Sequence, residues 1–343
     1  MSPALRLLAA TRHEPTDATP VWFMRQAGRS LPGYRALRQR LSFMELVRDP
    51  ELAAEVTCMP VGLLGVDAAV LFADIMLPLE GMGVPFEIRE SVGPVVGDPI
   101  RTAAQVGRLR VLEAEEATPY LFPAIRLARA ELGERAALIG FAASPFTLAC
   151  YLVEGHGSRD FPQVRSLMHS EPALFAQLMS TLTEVLARYL AAQVAAGAQV
   201  VQVFDSWAGV LDPASFRLHV VPHLQTLFQR LRGLVPAIYF STGSAHLLSE
   251  IAATGAQGVS VDWRLPLGEA WQRIGPRHFI QGNLDPALLL SPWSVVQAGA
   301  LKVLGEAQGR PGHIFNLGHG VLPGSEPAQL RRLVELVHSF ALN

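Results

Sequence analysis

The chain alternates between short apolar runs and longer amphipathic stretches. Eight runs stand out: PVWFM from Pro20, AAVLF from Ala68, ALIGF from Ala137, QVVQVF from Gln199, PAIYF from Pro236, GVSV from Gly258, HFIQG from His278 and HIFNL from His313. They are apolar at successive positions rather than at every second one, the pattern of strands covered on both faces. Each is followed by a helical stretch, so consecutive strands should run parallel with helical crossovers between them. Eight such units predict an α/β protein built as a single (β/α)8 TIM barrel spanning residues 1–343 as one domain. An open doubly wound sheet is the competing arrangement, but MRQAGRSLPG after the first run lacks the G-x-G-x-x-G spacing of a dinucleotide site. One segment breaks the alternation: VPFEIRESVGPVV, from Val84, reads as a hairpin inserted after the second strand.

The helical stretches carry their own boundaries. Asp49-Pro50 and Asp212-Pro213 each pair a capping aspartate with a proline in the first turn, ahead of ELAAEVTCMPVGLLG and ASFRLHVVPHLQTLFQRLRGL. Glu171-Pro172 opens a long helix toward Ala196, and Gly197 ends it. The uncharged run from Ala136 to Val153 has the length of a membrane span. Gly140, Ser144, Pro145 and Thr147 interrupt it, so it reads as strand, turn and helix. The start, MSPALRLLAATRHEPTD, has too short an apolar stretch for a signal peptide. A cytoplasmic protein with no membrane partner is expected.

Half the residues are hydrophobic and 17% are charged, enough to bury a large core. The formal net charge of -2 offers no broad basic surface for nucleic acid, so any anion site must be local. Cys58 and Cys150 are too few for a disulfide framework and lack the spacing of a zinc site.

Barrel active sites lie at the C-terminal ends of the strands. The polar residues there are Arg25, Gln26 and Arg29 after the first run, Asp74 after the second and Ser144 after the third. Then come Asp205 and Ser206, Ser241, Asp262, Gln281 and Asn283, and finally His319 within LGHG. Singly, each fits an ordinary loop or capping role; together they converge on one rim. Arg25, Arg29, Arg35 and Arg38 crowd one short stretch. They fit either a solvated helix face or a set of guanidinium forks for a substrate with several anionic groups. Asp74 fits either a cap or an acceptor for N–H groups that also stabilises a cation. His319 fits either a loop histidine or a group that binds an anion or shuttles a proton. Tyr151 fits either a core aromatic or a hydroxyl donor.

PVWFMRQAGRSLPGYR and GFAASPFTLACYLVEG resemble the two signatures of the uroporphyrinogen decarboxylase family. LFADI, VFDSWAG, QGNLDP and NLGHG match further family segments in the same order. The resemblance runs from about Thr19 to the C-terminus. It implies a lyase that converts uroporphyrinogen III to coproporphyrinogen III by removing four acetate carboxylates, with no metal or organic cofactor and as a homodimer. It implies substrate binding by Arg25, Gln26, Ala27, Gly28, Arg29, Asp74, Tyr151, Ser206 and His319, an apolar wall from Phe204, and catalytic roles for Asp74 and Arg25. Some family members carry histidine where this chain has Trp207, beside Ser206, which alters that pocket edge. Two other readings share the features above. A zinc-dependent methyltransferase on a related barrel needs thiolate or histidine ligands, and a tetrapyrrole or anion carrier needs only the basic pocket.

Overall fold

In the computed structural model, residues 1–89 and 93–340 are described. Among the described residues nine strands form: β1 (Ala68–Val70), β2 (Phe86–Arg89), β3 (Gly93–Val96), β4 (Ala137–Ala143), β5 (Val200–Asp205), β6 (Ala237–Ser241), β7 (Gly258–Ser260), β8 (Phe279–Leu284) and β9 (His313–Leu317). Seven of them make one curled parallel sheet in the order β1-β4-β5-β6-β7-β8-β9. Each pair is separated by at least one helix, as parallel neighbours require. Strands β4 to β9 are almost wholly buried, which is why their sequences show no alternation.

The first apolar run departs from expectation. It forms no strand but a single parallel bridge, Val21 to Phe315 of β9. Its carbonyls still reach both edges of the sheet: Phe315 N donates to Pro20 O at 2.8 Å, and Asp67 N, just before β1, donates to Val21 O at 2.8 Å. Side chains then take over the donors a ladder would use. Phe23 N donates to Gln26 Oε1 at 2.9 Å and Met24 N to Asn316 Oδ1 at 3.2 Å. The run therefore turns into the Arg25 loop after one bridge, and the sheet has seven strands where eight were expected. β1 is cut short in the same way, because Phe72 N donates to Thr57 Oγ1 rather than to β4.

The Val84 segment contributes β2 and β3, antiparallel with Phe86 opposite Val96 and Arg89 opposite Gly93. Residues 90–92, where a hairpin turn would lie, are outside the described residues. Val96 N donates to Gly155 O at 2.7 Å, which docks this ribbon at the C-terminal end of helix Pro145–Glu154. That puts Pro94 at the rim of the cavity described below.

The uncharged run resolves into β4, a capping Ser144 and helix Pro145–Glu154. Among the described residues no helix is long and apolar enough to cross a membrane. Asp49 caps helix Pro50–Leu64 by accepting from Glu51 N and Leu52 N, and Asp212 caps helix Pro213–His219 in the same way. The second stretch is not one helix. It breaks at Val220 and resumes as Val221–Leu231, because Pro222 has no N–H to continue the ladder. The long helix runs Pro172–Ala196 and ends at Gly197.

Opposite the rim, the fully buried Asp67 ties the chain ends together. Its carboxylate meets Arg6 of helix Pro3–Thr11 at 2.6 Å, His338 of helix Pro327–Ser339 at 2.8 Å and Val21 N at 2.7 Å. Three partners satisfy a carboxylate that would otherwise be costly to bury.

Candidate active site

At the C-terminal ends of the strands lies a cavity of about 700 Å³. Arg25, Gln26, Ala27, Gly28 and Arg29 line it from the loop after the Val21 bridge. Asp74 enters from the end of β1, Tyr151 from helix Pro145–Glu154, Phe204 and Ser206 from the end of β5, and His319 from the loop after β9. The fold thus brings every residue singled out from the family signatures to one place, although those residues are spread over nearly three hundred positions of the chain.

Asp74 is set by a tight turn. Its Oδ1 accepts from Met76 N at 2.8 Å, the only hydrogen bond to this carboxylate among the described residues. The other oxygen has no hydrogen-bond partner among the described residues. Surrounding protein desolvates the group, and burial raises its pKa; the Met76 N–H and the positive charge of Arg25 oppose the rise. Arg25 acts here through space, since the two form no ion pair within 4.0 Å among the described residues.

Arg25 sits at φ +60°, in the left-handed region that non-glycine residues avoid. Such strain costs on the order of 1–3 kcal/mol and collects at functional sites. Two glycines make it feasible. A Cβ on Gly28 would lie 2.9 Å from Arg25 O, and one on Gly320 would lie 2.4 Å from Arg25 Cδ and 3.1 Å from its Cβ. The aliphatic stem of Arg25 therefore lies against the bare backbone of Gly320, which leaves its exposed head to the cavity mouth.

His319 stands beside this arginine. Burial, then the charges of Arg25 and Arg264, pull its imidazole down to about 4. It is neutral near pH 7 and offers one N–H donor and one acceptor. Tyr151 moves the other way: burial pushes its hydroxyl up to about 12, with the nearby Asp74 charge adding to the effect. It stays protonated and able to donate. Opposite the polar residues runs an aromatic wall. Phe204 packs edge-on against Phe141 at 5.5 Å and Phe240 at 5.8 Å, and Phe240 reaches the His319 ring at 6.2 Å.

Other rim residues serve the scaffold. Gln26 lines the cavity, but both ends of its amide are engaged, accepting from Phe23 N and donating to Ala68 O at 2.8 Å, so it fastens the arginine loop to β1. Ser144 caps its helix through Thr147 N. Asp205 accepts from Thr147 Oγ1 and Tyr239 O–H, both at 2.8 Å, beneath the site. Asp262 holds Gly243 N and Arg264. Gln281 joins Trp22, Gln202 and Ser260 inside the sheet, and Asn283 donates to Asp262 O and Leu265 O. The arginine cluster also divides. Arg25 and Arg29 line the cavity, while Arg35 donates to Arg29 O and Ser30 O, and Arg38 to Leu41 O. Tyr34, Trp207 and Thr242 line the cavity as well. Nothing in their sequence spacing set Tyr34 and Thr242 apart from ordinary loop and helix residues.

Cys58 and Cys150 do not meet. Burial pushes the Cys58 thiol up to about 11 and raises Cys150 well above its ordinary value, so both are held as thiols. Among the described residues no group of three or more His, Cys, Asp or Glu side chains is placed to share a metal ion. The ligand set of a zinc-dependent methyltransferase is not assembled there.

The chain is thus an α/β protein with a curled parallel sheet, whose cavity sets arginines, one carboxylate and neutral donors against an aromatic wall. Comparison with known proteins gives that class its family. The family model described as Uroporphyrinogen decarboxylase (URO-D) matches residues 2–340. The uroporphyrinogen decarboxylase of Sorangium cellulosum (strain So ce56) is 50% identical over 336 residues, covering 98% of this chain and 96% of that protein. That of Roseiflexus sp. (strain RS-1) is 47% identical, covering 98% of each. This chain belongs to the uroporphyrinogen decarboxylase family and is an enzyme, a carboxy-lyase. Among solved structures, a methyltransferase from Methanosarcina mazei superimposes with a TM-score of 0.76 over 98% of both chains at 23% identity, a likeness of fold.

Proposed function

We propose that this chain removes the four acetate carboxylates of uroporphyrinogen III to give coproporphyrinogen III and carbon dioxide in tetrapyrrole and haem synthesis, without a metal or organic cofactor. The observation that carries the reading is the Asp74 carboxylate, with one oxygen unpartnered among the described residues, in the same cavity as Arg25, Arg29 and His319. The four pyrrole N–H groups of the substrate point to the ring centre, where a single carboxylate accepts from them. The acetate and propionate groups point outward, toward the guanidinium forks.

Direct loss of carbon dioxide from an acetate side chain would leave a carbanion with no electron sink. Protonation of the pyrrole ring supplies one. The C–C bond pair then flows into the cationic ring, carbon dioxide leaves, the exocyclic methylene takes a proton, and the ring returns its own. Each cycle consumes one proton net and turns CH2–COO⁻ into CH3. Asp74 holds the ring and stabilises the positive charge that develops as the ring is protonated, a charge absent from the bound substrate. Arg25 orients the departing acetate. Tyr151 and His319 donate hydrogen bonds without adding charge, and Phe204 covers one face of the macrocycle.

The remaining features follow from the same reading. Pro20–Met24 is the eighth staving segment, so the sheet closes as a (β/α)8 barrel with the β2–β3 ribbon as its hairpin insertion, in one catalytic domain. The enzyme works as a cytoplasmic homodimer. Mass spectrometry of the tetrapyrrole after incubation tests the reaction. The expected product has lost four carboxyl groups and kept its four propionates; an unchanged macrocycle, or loss of propionate carboxyls, would refute the assignment.

A further inference from the structure

The arginine loop begins with a four-residue turn. Gln26 N donates to Phe23 O at 3.1 Å, and Arg25, at φ +60°, takes the third position, where a positive φ usually calls for glycine. A turn that strains an arginine persists only if its surroundings hold it on both sides. The Gln26 side chain does so after Arg25. Before it stands Met24, whose carbonyl accepts from Val321 N at 2.8 Å and whose N–H donates to Asn316 Oδ1 at 3.2 Å.

Asn316 does more than close one bond. Around the Val21–Phe315 bridge the chain follows a parallel ladder, with Phe315 N donating to Pro20 O and Trp22 N to Phe315 O. The next rungs of such a ladder would use Leu317 N and Met24 N. Both N–H groups go instead to the carboxamide oxygen of the buried Asn316, Leu317 N at 2.8 Å. One side-chain atom thus ends the pairing where the chain turns toward the cavity. The two donors also fix the orientation of the amide, since its NH2 turned over would face both N–H groups. Held that way, Nδ2 is buried with no partner among the described residues, a cost to stability. The position uses the acceptor and leaves the donor idle. We infer that Asn316 is a positioning residue for Arg25: its Oδ1 takes the two N–H groups that would extend the strand pair, and so turns Arg25 into the cavity beside His319. What Arg25 does there rests on the decarboxylase reading; the anchoring of the turn does not.

Two arms test this. Asn316→Ala removes the acceptor. With uroporphyrinogen III its kcat/KM should fall by roughly ten- to a hundredfold, the scale of lost hydrogen bonds to a charged group, while a melting curve shows that it folds. Asn316→Asp keeps an acceptor in the same place and should recover most of that loss. In an Arg25→Ala background, Asn316→Ala should cost little more, because the group it positions is gone. Should alanine unfold the chain, Asn316→Leu, of similar volume, takes its place. An undiminished kcat/KM, full additivity with Arg25→Ala, or no recovery in Asn316→Asp would overturn the inference. The second arm needs no substrate. In protein labelled with ¹⁵N-methionine, Met24→Leu identifies the Met24 amide by its loss. Hydrogen exchange at that amide should be about tenfold faster or more in Asn316→Ala, the effect of one lost hydrogen bond, and slow again in Asn316→Asp. A rate indifferent to Asn316 would also overturn the inference. Absence of turnover by the parent enzyme would refute the decarboxylase reading instead, and leaves the exchange arm decisive for Asn316.

Discussion

Replacing Asp74 with asparagine removes a charge and little else. The amide oxygen can still accept from Met76 N, so the turn after β1 is retained. The sign of the stability effect follows from the pKa. Burial raises that of Asp74, so the folded protein holds its proton more tightly than the unfolded chain. Any stability this confers is present at low pH and is lost as pH rises from the ordinary carboxylate range through the raised value. At neutral pH the partly desolvated anion therefore costs stability, and Asp74→Asn should melt at or above the parent temperature. Turnover should move the other way. A cationic ring about 4 Å from the carboxylate gains about 4 kcal/mol at an effective dielectric constant of 20. Part of that attraction exists only as the ring acquires its charge, so a loss on the order of a hundredfold to a thousandfold in kcat is expected. Steady-state coproporphyrinogen formation and a melting curve on the same sample make the assay. The parent should also lose activity at acid pH as Asp74 protonates, at a higher pH than an ordinary aspartate would, and the variant should lack that limb. A variant that turns over at the parent rate would refute the charge-stabilisation argument.

Arg25→Lys keeps the charge but not the two-pronged geometry, and should raise the KM for uroporphyrinogen III by roughly tenfold or more in steady-state kinetics. Gly320→Ala places a Cβ 2.4 Å from Arg25 Cδ; it should impair the same step, and its effect should be non-additive with Arg25→Ala in a double-mutant cycle. Asp67→Ala unpairs Val21 N, His338 and one arm of Arg6, though Arg6 keeps Asp17. Urea denaturation should show a loss of about 3 kcal/mol with KM unchanged. The His319 imidazole, held down to about 4 by burial and neighbouring arginines, should titrate higher by NMR once a polycarboxylate substrate occupies the cavity, because added anions favour the charged form.

The runs of buried strand residues were legible because parallel sheets covered on both faces leave continuous apolar stretches. β4 to β9 fall on them within a residue or two. Pro20–Met24 looked the same in sequence, yet made a single bridge. Its ladder donors are claimed by the Gln26 and Asn316 side chains, and nothing local announces such a long-range capture. Pro222 did announce the break before Val221, but the apolar periodicity on either side of it hid the signal. At the site, strand-end position found the rim and could not rank it. Asp205 and Asp262 occupy the same kind of position as Asp74, and only the folded chain shows that their carboxylates are engaged by Tyr239, Thr147, Gly243 and Arg264 while one Asp74 oxygen has no partner among the described residues. Trp207 lay beside a candidate residue, and its unpaired N–H becomes visible only in three dimensions.

The central claim is cofactor-free decarboxylation in this cavity. The most direct measurement is trapped carbon dioxide from uroporphyrinogen III, mixed without oxygen with protein dialysed exhaustively against a chelator, beside an identical sample of Asp74→Asn. Four carbon dioxide molecules per macrocycle are expected from the parent at an undiminished rate, and a trace released far more slowly from the variant. No carbon dioxide from the chelator-treated parent, with release restored by added zinc, would contradict it.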